Sequence, residues 1–438
     1  MSVAAWLDHV DKCLRLSPRD TSGSLPYLFV LNIQDPIVSS LQNDILDSSI
    51  NIRNVVDEKG LNNGDWSSFD ELCITYLGFA RDVDPTNPRE SYFALIKYVT
   101  ALQVAFTNNR GAILQGVVKA SLSTVLTMGR QLDANDTLQR TSYLSTLLLK
   151  MFNNIRAEKS LENSQQLSKK SVILFVANIL CRSYYMLHTE SSCANVFSNI
   201  HTANLKFSSY ARAEQVEYRY ILGRFYLAKE QLTRAYDHLS WAFRKCLPRT
   251  PQQRLILKYL VPAAMLLGRL PTNTLLSQFN LQTQYGPLAA ALKAGNYARF
   301  MEYLLNGPCS EWYVRARIQF LFRNRTPIVL LRQIVYRTWV ILNRPNVLKF
   351  DQIQAALRVA MAGSSESFGW YSAEQDASGE ITENVLITLV SQRFVMGHVY
   401  SRRALIKLKD KGPFPAMARV HNLDSRTGKA STDRWLET

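Results

Sequence analysis

The chain has 438 residues, of which 47% are hydrophobic and 20% charged, and its formal net charge is +16. This composition is typical of a soluble globular protein with two or three domains. The first twenty residues mix acidic and apolar side chains, and no apolar run is long and uncharged enough to span a bilayer. Neither a signal peptide nor a transmembrane helix is therefore expected. The six cysteines form no CxxC pair, which argues against a metal or redox motif and fits reduced thiols.

Apolar residues recur at helical spacing along most of the chain, and strand-like alternation is scarce before residue 395. The connectors between the periodic segments are short and contain Gly, Pro or Asn, while the polar stretch 157–170 is predicted to be an exposed linker. The order of elements indicates antiparallel helical hairpins, the repeating unit of a solenoid. The clearest predicted helices are 92–107, 138–156, 171–187, 213–228, 233–246, 252–267 and 285–293.

One predicted hairpin matches the tetratricopeptide spacing. Gly223 and Tyr226 in its first helix are followed by Ala235, Leu239 and Ala242 in its second. Small residues are needed where the two helices approach most closely, and Gly223 and Ala235 are predicted to meet this need. The alternative is generic helix packing without a repeat relationship.

The pattern changes after Pro345. The sequence predicts a helix at 350–360, a polar loop at 363–380 and a second helix at 382–394 with Thr382 as its N-cap. Two short strands follow within 396–409 and turn near 401–403. Gly397, just past the second helix, is predicted to take a positive φ. Two helices followed by a β-hairpin indicate a winged helix.

Basic residues are concentrated in one part of the chain. Residues 240–350 hold 16 basic and 2 acidic residues, and the 39 residues from 312 to 350 hold eight basic residues and no acidic one. A one-signed zone of this size attracts polyanions, of which nucleic acid is the foremost candidate. Residues 312–349 are predicted to form two helices broken near Pro327. Arg323 and Arg325 would lie at the end of the first, so capping of helix carbonyls is an alternative role for them.

The candidate nucleic-acid-binding residues lie in this zone and in the predicted hairpin. Contacts of such residues with phosphates give affinity with little sequence preference. For the arginines of the zone, a solvated face is the alternative, and for those of the hairpin it is contact with a partner protein. The aromatic residues Trp312, Tyr313, Tyr336 and Trp339 either stack on unpaired bases or belong to the core. The candidates are Arg315, Arg317, Arg323, Arg325, Arg332, Arg337, Arg402, Arg403, Lys407 and Lys409.

Catalytic motifs are missing from the sequence. It contains no HExxH, GxSxG, GxxxxGK[S/T] or GxGxxG pattern, and His398 is interpreted as a structural histidine within a strand. We therefore expect no enzyme activity, cofactor or metal. The alternative of an enzyme or enzyme regulator built on helical repeats would require a buried acid–base pair in a closed pocket.

A helical-repeat array that runs into a terminal winged helix resembles the PCI-domain family, found in the proteasome lid, the COP9 signalosome and initiation-factor assemblies. Three segments resemble one branch of it closely, the PCI subunits of the transcription-and-export complex 2, which couples mRNA production to export at the nuclear pore. A signalosome-associated branch shares the same segments. The segments are 223–243, 257–272 and 396–415, and the most specific stretch is YLVPAAMLLGRLPT at 259–272.

The resemblance implies a mainly α fold, a TPR-like solenoid ending in a winged helix, and a scaffold subunit without catalysis. The predicted parts are an N-terminal helical region 1–200, a helical-repeat part 201–344, a winged helix 345–415 and a tail 416–438, either disordered or a docking peptide. The polar loop 363–380 is long for a compact winged helix. Docking would use Met396, His398, Val399 and Tyr400.

The same resemblance implies the partners and the location. They are a larger PCI-type subunit, a small acidic disordered protein, and RNA or DNA, with no membrane. The location is the nucleus at the periphery of the pore, with the cytoplasm as a further compartment. The alternative is a pure assembly scaffold whose basic surface binds acidic proteins.

Overall fold

The computed structural model describes residues 1–32, 34–48, 50–133, 138–158, 167–203, 205–362, 379–420 and 433–437. These residues divide into two compact units. The first unit comprises Met1–Ile221 together with Thr432–Thr438, and the second comprises Leu222–Ser431. The first unit is therefore discontinuous in sequence, because the C-terminal residues belong to it.

The described part of the first unit is built from α-helices. Several begin at a residue whose side chain accepts a hydrogen bond from a first-turn backbone N–H, as Ser2, Asp35 and Asn87 do. The helices are α1 (Val3–Leu14), α2 (Pro18–Ser24), α3 (Pro36–Asp47), α4 (Ile52–Lys59), α5 (Ser67–Asp82), α6 (Pro88–Thr107), α7 (Gln115–Asp133), α8 (Gln139–Ala157), α9 (Ile173–Met186) and α10 (Cys193–His201).

An aromatic cluster holds α1, α5 and α6 together. The rings of Trp6 and Tyr76 stack with centroids 5.2 Å apart, and Phe29 tilts against Tyr76 at 5.0 Å. Tyr98 lies beside them, and its hydroxyl shares a hydrogen bond of 3.1 Å with the Ser121 hydroxyl. Aromatic pairs contribute about 0.5–1.5 kcal/mol beyond their buried area. The cluster therefore fixes how these three helices pack.

One segment of this unit is long and apolar enough to cross a membrane by composition. It is Asn109–Asp133, a 3₁₀ turn followed by α7, and half of its most apolar window is buried. Its inward face includes Val117, Leu122 and Val125, each at most 1% exposed. This is the packing of a core helix.

The second unit is also mainly helical, and the division between the units falls inside α11. Helices are present at all the positions that apolar spacing predicted, with ends that differ by at most four residues. The helices are α11 (Arg212–Ala228), α12 (Leu232–Lys245), α13 (Pro251–Leu266), α14 (Asn273–Gln278), α15 (Gln282–Ala294), α16 (Tyr297–Leu305), α17 (Ser310–Arg315), α18 (Gln319–Ile341), α19 (Phe350–Met361) and α20 (Glu380–Ser391).

The α11–α12 hairpin has the close approach that its sequence predicted. A Cβ atom built on Gly223 would lie 2.6 Å from Cγ of Leu239, so only glycine fits without a shift of the leucine. Ala235 and Leu239 are both fully buried. The small residues of the tetratricopeptide spacing are thus explained by packing.

Three short antiparallel strands complete the winged helix. The strands are β1 (Val347–Lys349), β2 (Gly397–Tyr400) and β3 (Leu405–Leu408), and the order in the sheet is β1-β3-β2. The predicted hairpin is therefore confirmed as β2 and β3, with a 3₁₀ turn at Ser401–Arg403 between them. Strand β1 was not predicted, because three residues are too few to show alternation.

Two details of the predicted winged helix are wrong. Thr382 is not an N-cap but a fully buried residue inside α20, whose N-cap is Gly379. The residue with positive φ after α20 is Arg393 (φ 63°), not Gly397. The amides of Arg393 and Phe394 bond back to the carbonyls of Val390 and Leu389, which is a Schellman motif.

Position 397 requires glycine for a different reason, because strand β3 passes too close to leave room for a side chain. A Cβ atom at this position would lie 2.5 Å from the carbonyl oxygen of Lys407 and 3.2 Å from Cα of Leu408. Both neighbours are backbone atoms of the central strand and cannot turn aside. Of the polar loop predicted at 363–380, residues 363–378 lie outside the described residues.

Candidate nucleic-acid interface

The helix break in the basic zone is not where the sequence predicted it. The chain breaks between α17 and α18, where Arg317 takes a positive φ of 58° and Ile318 bonds back to the carbonyl of Tyr313. Pro327 instead lies within the continuous α18. Proline removes the N–H that would bond the Arg323 carbonyl, but buried Thr326, Val329 and Leu330 hold the helix on both sides of it.

Because the break lies earlier than predicted, Arg323 and Arg325 also occupy a different part of a helix than predicted. Both are exposed and lie in the N-terminal part of α18, not at the end of a helix. The helix dipole disfavours cations there, so carbonyl capping at a C-terminal end does not account for them. Arg315 and Phe320, predicted to share one helix, are in α17 and α18 respectively.

Two of the candidate arginines form ion pairs with glutamates. Nη2 of Arg315 lies 2.6 Å from a carboxylate oxygen of Glu311, one turn earlier in α17. Nε of Arg325 lies 2.5 Å from a carboxylate oxygen of Glu230. Exposed pairs of this kind contribute about 0–1 kcal/mol. Residues 312–350 contain no acid, but part of their positive charge is thus neutralised by glutamates from outside this range.

Two further candidates are tied to the backbone of the second unit. Arg332 is half-buried, its Nη2 donates to the carbonyl of Pro415 at 2.9 Å, and burial lowers the pKa of its guanidinium. Its guanidinium lies 5.8 Å from the ring of Phe414. Arg337 donates to the carbonyl of Lys293 at 3.4 Å. Arg332 therefore anchors the Pro413–Pro415 segment against α18.

The aromatic candidates make contacts within the same unit. Phe414 meets the rings of Tyr336 and Trp339 at 5.3 and 5.2 Å. Tyr313 is 2% exposed, and its hydroxyl donates to the carbonyl of Gln284. Tyr313 is therefore a core residue, and the rings of Tyr336 and Trp339 pack against the Phe414 ring.

The basic residues of the wing face solvent. Arg402 and Arg403 lie in the turn between β2 and β3, Lys407 lies in β3, and Lys409 follows it. All four are exposed. In β2, His398 and Tyr400 share one exposed face, while Val399 is half-buried on the other. Met396 precedes the strand and is half-buried.

Three cations that the candidate set did not include lie close together in the second unit. We call Arg224, Arg254 and Lys258 the α13 cation cluster, since two of them are one turn apart on α13. Burial, together with the charges of Arg224 and Arg254, lowers the pKa of Lys258. Its Nζ lies 5.0 Å from the ring centre of Trp312 and 5.5 Å from that of Tyr259.

The cluster combines repelling charges with aromatic faces. The guanidinium of Arg224 lies 4.5 Å from the Tyr259 ring, and Nε of Arg254 donates to the carbonyl of Phe279 at 2.9 Å. Among the described residues, no carboxylate forms an ion pair with Arg254 or Lys258. A bound anion would relieve this repulsion. In the sequence, Lys258 is notable only as a charge within an apolar run, and the i, i+4 spacing with Arg254 is the signal that would have indicated the site.

The described residues were also compared with the geometry of metal sites. The described ranges contain no group of three His, Cys, Asp or Glu side chains placed to hold a metal ion. A cavity of about 820 Å³ in the second unit is lined mainly by residues of α14, α15 and α16, of which Arg299 is the charged one.

The second unit is a helical array that ends in a winged helix, which is the architecture that the resemblance to PCI domains implied. The chain is similar to PCI-domain proteins along most of its length. A PCI domain-containing protein of Schizosaccharomyces pombe is 25% identical over 358 residues, which cover 78% of this chain and 79% of the relative. The nuclear mRNA export protein THP1 of Saccharomyces cerevisiae is 24% identical over 374 residues, 78% of this chain and 81% of the relative.

The similarity extends beyond these two fungal proteins. A CSN12 homolog of Gibberella zeae is 25% identical over 257 residues, 57% of this chain and 56% of the relative. No family model matches the chain.

Proposed function

We propose that this chain is a non-catalytic scaffold subunit of a nuclear mRNA-export complex at the periphery of the nuclear pore. It docks a larger PCI-type subunit through its winged helix, holds a small acidic protein, and contributes a basic surface to RNA binding. The observation that carries the proposal is the similarity to a nuclear mRNA export protein over 78% of the chain.

The open edge of β2 supports docking through the winged helix. In the described residues β2 pairs with β3 alone. The amide of Lys409 donates to the Met396 carbonyl, towards β2, at 2.9 Å. The amide of the preceding residue, Leu408, donates to the Asn346 carbonyl, towards β1, at 2.8 Å. Because pairing alternates along an antiparallel ladder, the N–H and C=O of Val399 face away from β3. An added strand from a partner would use these groups.

Val399→Pro tests this docking. The substitution removes the outward N–H while leaving the bonds between β2 and β3, and edge strands tolerate proline. We expect at least tenfold weaker binding to the purified larger PCI-type subunit, measured by calorimetry, with little change in the thermal melting of the chain. His398→Pro is the matched control, because it removes an inward bond and should lower the melting temperature. Unchanged affinity in Val399→Pro would exclude docking through this edge.

Two basic surfaces support the proposed RNA binding. The wing offers Arg402, Arg403, Lys407 and Lys409, all exposed, and the α13 cation cluster places two arginine charges close enough to Lys258 to lower its pKa. A flexible single strand can follow such charges with little sequence preference.

The second candidate function is an assembly scaffold whose basic surface binds acidic proteins. It is favoured by the ion pairs of Arg315 and Arg325 with glutamates, since the zone already accommodates carboxylates. The function would then remain structural, and the likeness to mRNA-export and CSN12-type relatives would reflect a shared role in assembly.

Arg402→Glu with Arg403→Glu distinguishes the two functions. Both side chains are exposed, so the double variant should fold as the wild type does. If the wing binds RNA, we expect affinity for a single-stranded RNA to fall at least tenfold while affinity for the larger PCI-type subunit and the small acidic protein is kept. Loss of either protein partner with RNA binding intact would favour the assembly scaffold.

A further inference from the structure

The C-terminal residues are seated on the first unit through two side chains. Residues Arg434–Glu437 form a single 3₁₀ turn. Trp435 is 8% exposed and Leu436 is 5% exposed, whereas Glu437 faces solvent. A five-residue segment cannot bury these side chains against itself, so the surface beneath it determines its conformation.

That surface is an aromatic groove, defined here as Phe197, Phe207, Tyr218 and Arg219. The Trp435 ring meets Phe207 at 5.2 Å with an interplanar angle of 90°, and Tyr218 at 5.4 Å with an angle of 69°. Phe197 packs edge-on against Tyr218 at 5.6 Å. Edge-to-face contacts are the preferred geometry of aromatic pairs, so the groove has the shape of a pocket for one indole ring.

The groove also recognises the peptide backbone. Nη2 of Arg219 donates to the carbonyl of Leu436 at 2.8 Å. The same guanidinium lies 5.5 Å from the ring of Phe207, which fixes its orientation. An aromatic anchor in a pocket, beside a backbone hydrogen bond from arginine, is the arrangement by which short peptide motifs are held.

We propose that the aromatic groove is a peptide-binding site for a Trp-Leu turn, and that its resident ligand is the chain's own segment 433–437. The segment is held in the manner of a ligand, through the rings around its indole, the burial of its leucine and a hydrogen bond to one of its carbonyls. As part of the same chain, it competes with any free peptide at an effective concentration on the order of millimolar. A partner carrying the same turn would have to displace it. The site belongs to the first unit, whereas the basic surfaces belong to the second, and it does not depend on their proposed function.

The test uses the full chain with Trp435→Ala and a fluorescent peptide of residues 431–438, Ser-Thr-Asp-Arg-Trp-Leu-Glu-Thr. Since the variant vacates the pocket, we expect the peptide to bind it at least tenfold more tightly than it binds the wild type, measured by fluorescence polarisation. The control peptide with alanine in place of tryptophan should not bind. Adding Arg219→Met to the variant should weaken the peptide at least fivefold, because the methionine keeps an apolar stem but cannot donate.

The proposal is overturned if the folded variant does not bind the peptide at millimolar concentration, or if the alanine peptide binds equally well. A second measurement on the wild type covers the case in which Trp435→Ala does not fold. An excess of the peptide should speed hydrogen exchange of the resident 433–437 amides, since displacement exposes them. Unchanged exchange at saturating peptide would show that the segment is a fixed part of the fold.

Discussion

Replacing Arg224, Arg254 and Lys258 together by glutamine should strongly reduce the salt dependence of RNA binding and leave the part that the wing contributes. For the wild type, about four neutralised phosphates give a slope of log K against log salt of roughly −3 with a single-stranded RNA. Removing three of these contacts should leave a slope of roughly −1. The measurement is fluorescence anisotropy of a labelled single-stranded RNA across a salt series.

Lys258→Met in the α13 cation cluster should affect RNA binding and the stability of the fold in opposite directions. Burial and the two neighbouring arginines lower the pKa of Lys258, so the folded state holds this proton less tightly than the unfolded state. The charged lysine therefore costs stability at neutral pH, and the cost disappears as pH rises through the lowered pKa towards the ordinary value of 10.5. We expect Lys258→Met to raise the melting temperature while reducing the salt slope by about 1.

Lys97→Met is the matched control for Lys258→Met. Lys97 is exposed on α6 in the first unit, so its replacement should change neither the melting temperature nor the slope. A folded triple variant that keeps the wild-type slope would exclude the α13 cation cluster as an RNA contact. No RNA binding by the wild type at low salt would mean that the basic surface requires a partner or serves one.

Gly397→Ala should destabilise the second unit by roughly 3 kcal/mol. The added Cβ would lie 2.5 Å from the Lys407 carbonyl oxygen, and the clash is with backbone of the central strand. Overpacking costs of about 1–3 kcal/mol arise where neighbours can still adjust, and β3 is fixed by β1 and β2 on both sides. Urea denaturation followed by circular dichroism measures the change.

Gly78→Ala provides a control of opposite sign. Gly78 lies within α5 and has nothing within 4 Å of the added Cβ, so alanine should raise stability by about 0.5–1 kcal/mol through helix propensity. If Gly397→Ala also stabilises the protein, the close contact between β2 and β3 does not exist in solution.

The helices could be predicted because their signal is local. Each long helix buries one stripe, so apolar residues at helical spacing mark it, and the ends agree to within four residues. The wing was predictable for the same reason, since Leu405–Leu408 pack on one side only. Strand β1 is supported by bonds to β3, almost sixty residues later in the chain, and leaves no local pattern.

The features that were mispredicted depend on distant atoms. Proline at position 327 suggested a helix end, but packing on both sides holds α18 together. Gly397 suggested a turn, whereas the constraint comes from the backbone of Lys407.

The charged environment of a side chain depends most strongly on residues that are distant in the sequence. The sequence shows Arg325 in a stretch without acids, yet Glu230 pairs with it from 95 residues away. Conversely, Lys258 stands alone in an apolar run but meets Arg224 and Arg254 in space. Ten candidate residues were therefore chosen by composition, while the α13 cation cluster was recognised from the structure.

The discontinuous first unit has a consequence for synthesis on the ribosome. Residues 1–221 emerge first, but the groove that receives Trp435 remains empty until the last residues of this sequence are made. At about 5–20 residues per second, the intervening stretch takes on the order of 10–40 seconds to translate. During that interval the Phe207 and Tyr218 rings lack their contact with Trp435, and transiently exposed apolar surface of this kind favours aggregation. A chain cut short by a premature stop codon would keep that surface exposed.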